Sequence, residues 1–396
     1  MNVIRAALVV SASNLGDSLL YVALPLIHSS FGINIVQVGI LLSANRLVRF
    51  VSNTFAGYVY GRKPLKWVLV ASIIAAFVIN LSYGYIDGFL PFLLMRLLWG
   101  ITWSFLRLGG YLSVVSFSND INRGRFMGVY QSISGIGFLT GGLVGGVLLD
   151  SWGYNSANLL LVFGTFLVIP IAFSLTDKRL ESHEQGHDIS FDIRTLVGNS
   201  ELLRLGFGVM LTRLFLGSLI SSTLSLYLVE VLGSEGVILL GRKVGIATLT
   251  GTLLSFRLLS KFLLGPIIGV LSDKFGGQRT MFILFLSGSA SLMILALSQT
   301  LGVITLAVIL IFLSDSGLGV VVAAEVSDMV KTDDAKSQYT LSAFTNWIDL
   351  GSAIGPLVIF SLISEVSFNS IFVSASAALL VYALIIRRSD IDHNPM

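Results

Sequence analysis

Residues 269–279 read Gly-Val-Leu-Ser-Asp-Lys-Phe-Gly-Gly-Gln-Arg and form a short charged turn between two apolar runs, 244–272 and 279–298. About 20 mostly apolar residues are enough for a helix to cross the hydrocarbon core of a bilayer. Both runs reach that length. The stretch therefore predicts two transmembrane helices that are joined on one side of the membrane by a tight polar loop.

The same alternation of apolar runs and polar turns continues along the whole chain. Only 12% of the residues are charged and 54% are hydrophobic, whereas roughly a quarter are charged in soluble proteins. This surplus of apolar side chains requires a lipid bilayer as partner. We predict twelve spans, at residues 3–28, 36–60, 66–86, 89–117, 124–149, 156–176, 201–232, 244–272, 279–298, 300–328, 338–363 and 368–387.

Basic residues are concentrated in alternate loops. The positive-inside rule places the side that carries more Lys and Arg in the cytoplasm. Both termini and the polar linker 177–199 are then cytoplasmic, in a cell (inner or plasma) membrane. The basic pI, near 9.1, is a topology signal, and no nucleic-acid partner is expected. The opposite side has only Arg242 and Lys243, and the cytoplasmic set is Arg62, Lys63, Lys66, Arg123, Arg125, Lys178, Arg179, Arg194, Lys274, Arg279, Lys331, Lys336, Arg387 and Arg388.

The two halves of the chain repeat each other. The segment 41–57 aligns without gaps on 253–269, which places Arg49 opposite Lys261. A second alignment places the glycines of the fifth span over those of the eleventh. The predicted fold is all-α, a polytopic membrane protein with 12 transmembrane helices in two pseudo-symmetric six-helix bundles. We expect a first bundle at 1–176, a linker at 177–199 and a second bundle at 200–396, with the solute held between the halves.

The loop quoted above resembles the signature loop of the major facilitator superfamily, and the resemblance covers the whole chain. Arg96-Leu-Leu-Trp-Gly100 resembles that family's R-x-x-x-G motif, which is tied to proton coupling. The glycine-rich fifth span resembles that of the drug antiporters, and Gly355-Pro356 keeps the usual proline in the eleventh. The first-half copy of the signature loop has Gly61 where the aspartate belongs. The resemblance implies a drug:proton antiporter that works by alternating access.

Charged side chains inside the spans are the first functional candidates, because each costs about 2.5–3.5 kcal/mol at mid-bilayer on insertion scales. Bases outnumber acids there, so an anionic or zwitterionic solute is favoured. Arg49 and Lys261 lie at matching depths and form a candidate anion clamp; pairing of each with an internal aspartate is the alternative. The substrate-binding candidates are Arg49, Lys261, Arg46 and Arg257, and the proton-coupling candidates are Asp17, Arg96, Asp315 and Asp349.

Gating candidates come from the loop and from the glycine-rich spans. A carboxylate at residue 273 can face the amino end of a neighbouring helix, near Gly124, and hold a cytoplasmic gate shut through the helix dipole. The glycines allow the fifth span to pack closely against a partner across the interface between the halves. The gating set is Asp273, Gly269, Arg279, Gly137, Gly141, Gly355 and Pro356.

Two motifs are interpreted as coincidental. His183-Glu-Gln-Gly-His187 matches the zinc-protease pattern, but a glycine interrupts the helix that such a site needs. Gly236–Lys243 only partly matches a phosphate-binding loop, because no Ser or Thr follows the lysine. No catalytic residue, metal or cofactor is expected, and cysteine is absent. The expected state is a monomer.

The function we predict is secondary active transport, coupled to protons, that exports a small organic solute. One alternative is a transporter or flippase of an anionic metabolite or a lysolipid, which the basic cavity favours. Another is a receptor on the same scaffold that no longer transports. An enzyme is disfavoured, since no nucleophile–base pair or carboxylate pair is evident.

Overall fold

The structure is a computed structural model that describes residues 1–119, 122–176, 200–239, 241–331 and 337–393. The predicted linker, with His183 and His187, lies outside the described residues. Up to Phe173 the chain forms six helices: α1 Asn2–Ile27, α2 Ile35–Leu47, α3 Arg49–Tyr60, α4 Leu65–Ser82, α5 Phe89–Phe117 and α6 Arg123–Phe173. A 3₁₀ turn, His28–Phe31, follows α1.

The remainder of the described chain is also helical, apart from one small hairpin that the sequence pattern did not predict. The helices are α7 Ser200–Leu211, α8 Ile220–Leu232, α9 Ile246–Phe275, α10 Gly277–Leu297, α11 Leu301–Lys331, α12 Ser337–Leu362 and α13 Phe368–His393. A π-helical segment, Thr212–Leu219, joins α7 to α8. Strands β1 Val237–Leu239 and β2 Arg242–Val244 pair antiparallel between α8 and α9.

Helix α6 contains two of the predicted spans. Its 51 residues would extend about 76 Å at 1.5 Å per residue, more than twice the thickness of a bilayer core. Gly153 breaks it, with φ 77° and ψ 171°, a backbone conformation that glycine adopts without a steric penalty. Ten described stretches are long and apolar enough to span, with Ile35–Tyr60 (α2 and α3) and Ser200–Leu232 (α7 to α8) each counted once. Helix α9 is an eleventh span when its two parts, Ile246–Lys261 and Leu264–Phe275, which meet at a bend of 46°, are counted together. Counting α6 twice gives the predicted twelve.

The described chain divides into two compact units. The first contains Met1–Ser190 and Ser234–Ser255, and the second contains Phe191–Gly233 and Phe256–Met396. In the first, buried amides tie α1, α4 and α6 together: Asn80 Nδ2 donates to the Ser13 carbonyl and Asn158 Nδ2 to the Asn80 carbonyl, both at 3.0 Å. These bonds satisfy polar groups that the membrane could not hydrate.

The second unit uses hydroxyl groups for the same purpose. Ser289 of α10 and Ser376 of α13 donate to each other's carbonyls at 2.8 Å. Tyr227 of α8 donates to the Leu295 carbonyl at 2.7 Å, and Tyr382 of α13 donates to the Arg204 carbonyl at 2.6 Å. The core of this unit is thus cross-linked from α7 to α13 by side chain–backbone bonds.

Equivalent glycines of the repeat pack in equivalent ways. A Cβ added at Gly137 or Gly141 of α6 would overlap the carbonyl oxygens of Ser11 and Leu15 in α1. A Cβ added at Gly351 of α12 would overlap the Met210 carbonyl oxygen of α7 in the same manner. In each unit the missing side chains let two backbones touch.

Candidate transport site

The charged residues of the first unit form a closed pair. Arg96 of α5 donates from Nη1 to Asp17 Oδ1 of α1 and from Nε to the Leu41 carbonyl of α2 at 3.2 Å. The Arg96 side chain is 0% exposed and that of Asp17 is 5% exposed. One guanidinium therefore joins three helices around a single carboxylate, and the two sequence-predicted proton-coupling residues lie together.

The R-x-x-x-G spacing has a packing reason as well. One turn after Arg96, Gly100 faces the last turn of α2, where an added Cβ would overlap the Asn45 carbonyl oxygen and the Val48 side chain. The chain changes from α2 to α3 at Val48. In this motif the arginine donates a hydrogen bond to the Leu41 carbonyl, and the glycine leaves the space into which the α2–α3 junction packs.

Two further basic candidates lie next to this pair. The Arg46 guanidinium is 5.5 Å from the centre of the Tyr21 ring, and Arg96 is 5.8 Å from the same ring. Arg49, the first residue of α3, folds back onto α2, and its Nε donates to the Asn45 carbonyl at 3.1 Å. Two cations therefore lie within 6 Å of the Tyr21 ring centre, a distance at which the ring quadrupole attracts them.

The charged residues of the second unit form an open cluster around Asp315 of α11. Arg213 Nη1 donates to Asp315 Oδ1 at 2.8 Å. Arg257 of α9 donates to Oδ2 from Nε at 3.0 Å, and its Nη2 is 2.9 Å from the same oxygen. The carboxylate is 3% exposed, but the Arg213 and Arg257 side chains are 20% and 28% exposed.

Lys261 lies one helical turn after Arg257 and has an exposed side chain. It is close enough to Asp315, Arg213 and Arg257 to interact with each electrostatically. Among the described residues, no carboxylate comes within ion-pair distance of its Nζ, since Asp315 pairs with the two arginines. The cluster therefore contains three cations and one anion. Arg213 is the member of this cluster that the sequence interpretation did not select.

The family model of the Major Facilitator Superfamily matches residues 6–261 and 244–394. The chain belongs to the Major Facilitator Superfamily. The two matches together cover residues 6–394, and they overlap only at 244–261.

Relatives within the superfamily are distant. The multidrug resistance protein MdtG of Dickeya zeae is 22% identical over 352 residues, which cover 87% of this chain and 82% of that protein. MdtG of Citrobacter koseri is 24% identical over 360 residues, with 87% and 83% coverage. These relatives and the fold identify a membrane transporter.

Solved transporter structures share the fold at low identity. The nucleoside transporter NupG (D323A mutant) superimposes with a TM-score of 0.77 at 13% identity and covers 98% of both chains. The peptide transporter POT in complex with sulfate gives a TM-score of 0.75 at 14% identity, over 98% of this chain and 93% of that one.

The signature loop of the superfamily lies between α9 and α10. Asp273 and Arg279 are both exposed, and Gly269 lies in the last two turns of α9. The carboxylate over the amino end of α10 is Glu325 of α11, since a Cβ at Gly277 would overlap its Oε1. A negative charge there is stabilised by the helix dipole. The sequence interpretation did not select Glu325, and its prediction that Asp273 faces the amino end of the fifth span near Gly124 stays a prediction.

The glycine-rich part of α6 has two faces, and this differs from the single interface that was expected. Gly137 and Gly141 face α1, whereas Gly142 and Gly146 face the first turns of α9 around Ala247 and Gly251. At Gly355, an added Cβ would lie 2.5 Å from Ser218 Cβ, and Pro356 beside it is buried in α12. Gly137, Gly141 and Gly355 therefore pack α6 and α12 onto helices near the start of their own halves.

Asp150 binds the amino end of α9. Its Oδ2 accepts hydrogen bonds from the Thr248 backbone N–H at 2.7 Å and the Thr248 hydroxyl at 2.6 Å, and its Oδ1 accepts from the Ala247 N–H at 3.3 Å. Two otherwise unpaired N–H groups of a helix start are thereby satisfied. Asp150 ends the glycine run in the sequence, but its partner is almost 100 residues away.

The partial phosphate-loop match forms the β1–β2 hairpin. A phosphate-binding loop would instead need a strand followed by the start of a helix. Lys243 Nζ donates to Glu235 Oε2 at 2.6 Å, and this bond lowers the pKa of the fully exposed Glu235 carboxyl.

The remaining proton-coupling candidate, Asp349, is buried in α12.

Proposed function

We propose that this chain is a proton-coupled secondary transporter that exports a small organic solute by alternating access. The observation that carries the proposal is the Asp17–Arg96 pair, which is buried between α1 and α5. Asp17 can bind a proton whenever the guanidinium moves away, because a charge without a partner is costly in a low-dielectric interior. Arg96 stays charged and modulates the carboxyl.

The direction of transport rests on similarity. The relatives in Dickeya zeae and Citrobacter koseri are named multidrug resistance proteins, and a membrane transporter confers drug resistance by lowering the drug concentration inside the cell, which favours export. We propose further that both termini face the cytoplasm, that the halves are 1–176 and 200–396 joined by a linker at 177–199, and that the protein works as a monomer in the cell membrane. The loop charges support the orientation.

The test is Asp17→Asn, with Asp87→Asn as control, since Asp87 is an exposed acid in the same unit. In proteoliposomes with a pH gradient, we expect Asp17→Asn to lose uphill transport by more than 100-fold, because an amide does not exchange a proton. Solute-induced proton release in detergent should disappear with it. Uphill transport at the wild-type rate would move the coupling role to Asp315 or Asp349.

A second candidate is transport of an anionic metabolite or a lysolipid, and the three cations around Asp315 favour it. Arg49→Gln and Lys261→Gln test the clamp that the repeat predicts. If both bind one solute, each variant weakens binding and the double variant falls short of additive loss. Unchanged affinity with a lower melting temperature would instead indicate internal pairing of these bases.

The same experiments separate a transporter from a receptor that no longer transports. Flux of a bound solute in wild-type proteoliposomes is expected for the first and absent for the second. The retained Asp17–Arg96 contact supports the transporter.

A further inference from the structure

The cluster around Asp315 has the geometry of a carboxylate-binding site with a carboxylate already in it. Both Asp315 oxygens accept charge-assisted hydrogen bonds, one from Arg213 and the other from the Nε side of Arg257. Such bonds are about twice as strong as neutral ones, and a planar guanidinium recognises carboxylate and phosphate by shape. Because the cluster binds the carboxylate of its own Asp315, it has the geometry to bind the carboxylate or phosphate group of another molecule.

The cluster has binding capacity left over. Three cations face one acid, and Lys261 has no ion-pair partner among the described residues. Within the same part of the chain, Arg213 Nε is buried without a hydrogen-bond acceptor. A lysine exposed to lipid would be costly, so its exposed face belongs toward water. An incoming anion would find an open ammonium and an open N–H beside Asp315.

Two glycines provide the space that the guanidinium groups occupy. A Cβ at Gly217 would lie 2.9 Å from Arg257 Nη2, and one at Gly319 would lie 2.8 Å from Arg213 Nη2. Arg213 belongs to the π-helical segment Thr212–Leu219, a type of distortion that is frequent at functional sites. Exposure also distinguishes these arginines from Arg96, since the Arg213 and Arg257 side chains are 20% and 28% exposed and that of Arg96 is 0% exposed.

We propose that Asp315 acts as a tethered anion: its carboxylate occupies the position that the anionic group of the substrate takes on binding. In the empty protein it neutralises Arg213 and Arg257. A substrate with one carboxylate or phosphate on an apolar body binds Lys261 first and then takes over the two guanidinium groups, while Asp315 is released from them. The inference rests on the proposed transport function and names its substrate class. It also makes Asp315 a competitor for the site instead of a proton carrier.

The test uses the purified full chain in phosphatidylcholine nanodiscs and equilibrium dialysis of labelled naphthalene-2-carboxylate. Neutral naphthalene-2-carboxamide measures binding of the apolar body alone, and 2-naphthyl phosphate distinguishes a phosphate headgroup from a carboxylate. We expect Lys261→Gln to weaken carboxylate binding 5- to 10-fold and Asp315→Asn to tighten it by a similar factor. Carboxamide binding should not change. Lys243→Gln removes the same charge at the hairpin and serves as control.

Two results would overturn the inference. One is a folded Lys261→Gln protein that binds the carboxylate as the wild type does. The other is a folded Asp315→Asn protein with equal or weaker binding. Infrared difference spectra of wild-type protein with ¹³C-labelled aspartate need no variant: the probe should shift a carboxylate stretch, and an unshifted spectrum rejects release of Asp315.

Failure of the transport proposal would give a different pattern. If the three binding results hold but a pH gradient drives no flux, the anion site stands and proton-coupled export is wrong. If flux is driven and Asp17-dependent but carboxylate and carboxamide bind alike in every variant, export stands and the tethered-anion inference is wrong.

Discussion

The two halves place opposite charges at corresponding positions. In the first half the acid, Asp17, is on the first span and the base, Arg96, is on the fourth. In the second half the base, Arg213, is in the seventh span and the acid, Asp315, is on the tenth. The first pair is one-to-one and closed, whereas the second includes two extra cations and is partly exposed. A closed pair suits a small proton, and an open surplus of charge suits a larger anion.

The largest expected effect is on the closed pair. Arg96→Ala leaves Asp17 buried without its cation, and we expect the free energy of unfolding to fall by about 3–5 kcal/mol. Arg257→Ala should cost less, because Asp315 keeps Arg213 and the site is partly exposed. Denaturation in mixed micelles measures both. An equal loss for the two variants would remove the distinction between a closed and an open cluster.

The next effect concerns the glycines that the halves share. Gly137→Ala and Gly351→Ala each place a methyl group against a backbone carbonyl, and overpacking of this kind costs about 1–3 kcal/mol. Gly128→Ala on the same helix as Gly137 meets no atom within 4 Å and should be neutral or slightly stabilising. Melting temperatures compare all three. An unchanged melting temperature for Gly351→Ala would show that the two packing sites are not equivalent.

A smaller effect is expected at the start of α9, whose counterpart in the first half lacks an aspartate cap. Asp150→Ala removes the acceptor of the Thr248 and Ala247 amides and should cost about 1 kcal/mol, while Asp150→Asn keeps an acceptor oxygen and should cost less. Hydrogen exchange at these two amides reports the loss directly. In the first half, α2 starts with its own Asn34–Gln37 capping box, so Asn34→Ala is the matched comparison.

The smallest effect is at the exposed Glu235–Lys243 pair. The pKa of Glu235 is lowered from its ordinary value of 4.5 by Lys243, so its stabilisation is fully present above pH 4.5 and disappears as pH falls through the lowered value. Lys243→Gln should return the pKa to its ordinary value and leave melting at pH 7 nearly unchanged, since exposed pairs contribute little. Carbon NMR titration of the labelled carboxyl checks the shift.

Much of the architecture was predictable. The twelve spans follow from apolar run lengths, which the helices reproduce within a few residues, except that the fifth and sixth spans form the single element α6 with a break at Gly153. The Asp17–Arg96 contact was also foreseeable, because two opposite charges buried in a membrane protein seek each other. The π-helical segment and the hairpin were not, since neither alters the hydrophobic pattern of its run.

By itself, the sequence determined that this protein lies in a membrane, that its two halves repeat and that cations exceed acids within the spans. Those conclusions depend on composition and spacing, which do not require knowledge of contacts. Only the tertiary structure decided that Asp315 forms ion pairs with two arginines and not with Lys261. It also decided that Glu325 lies over Gly277 and that Asp150 accepts a hydrogen bond from Thr248. Each of these joins residues at least 48 positions apart, and a linear pattern does not specify which distant backbone or charge a helix face will meet.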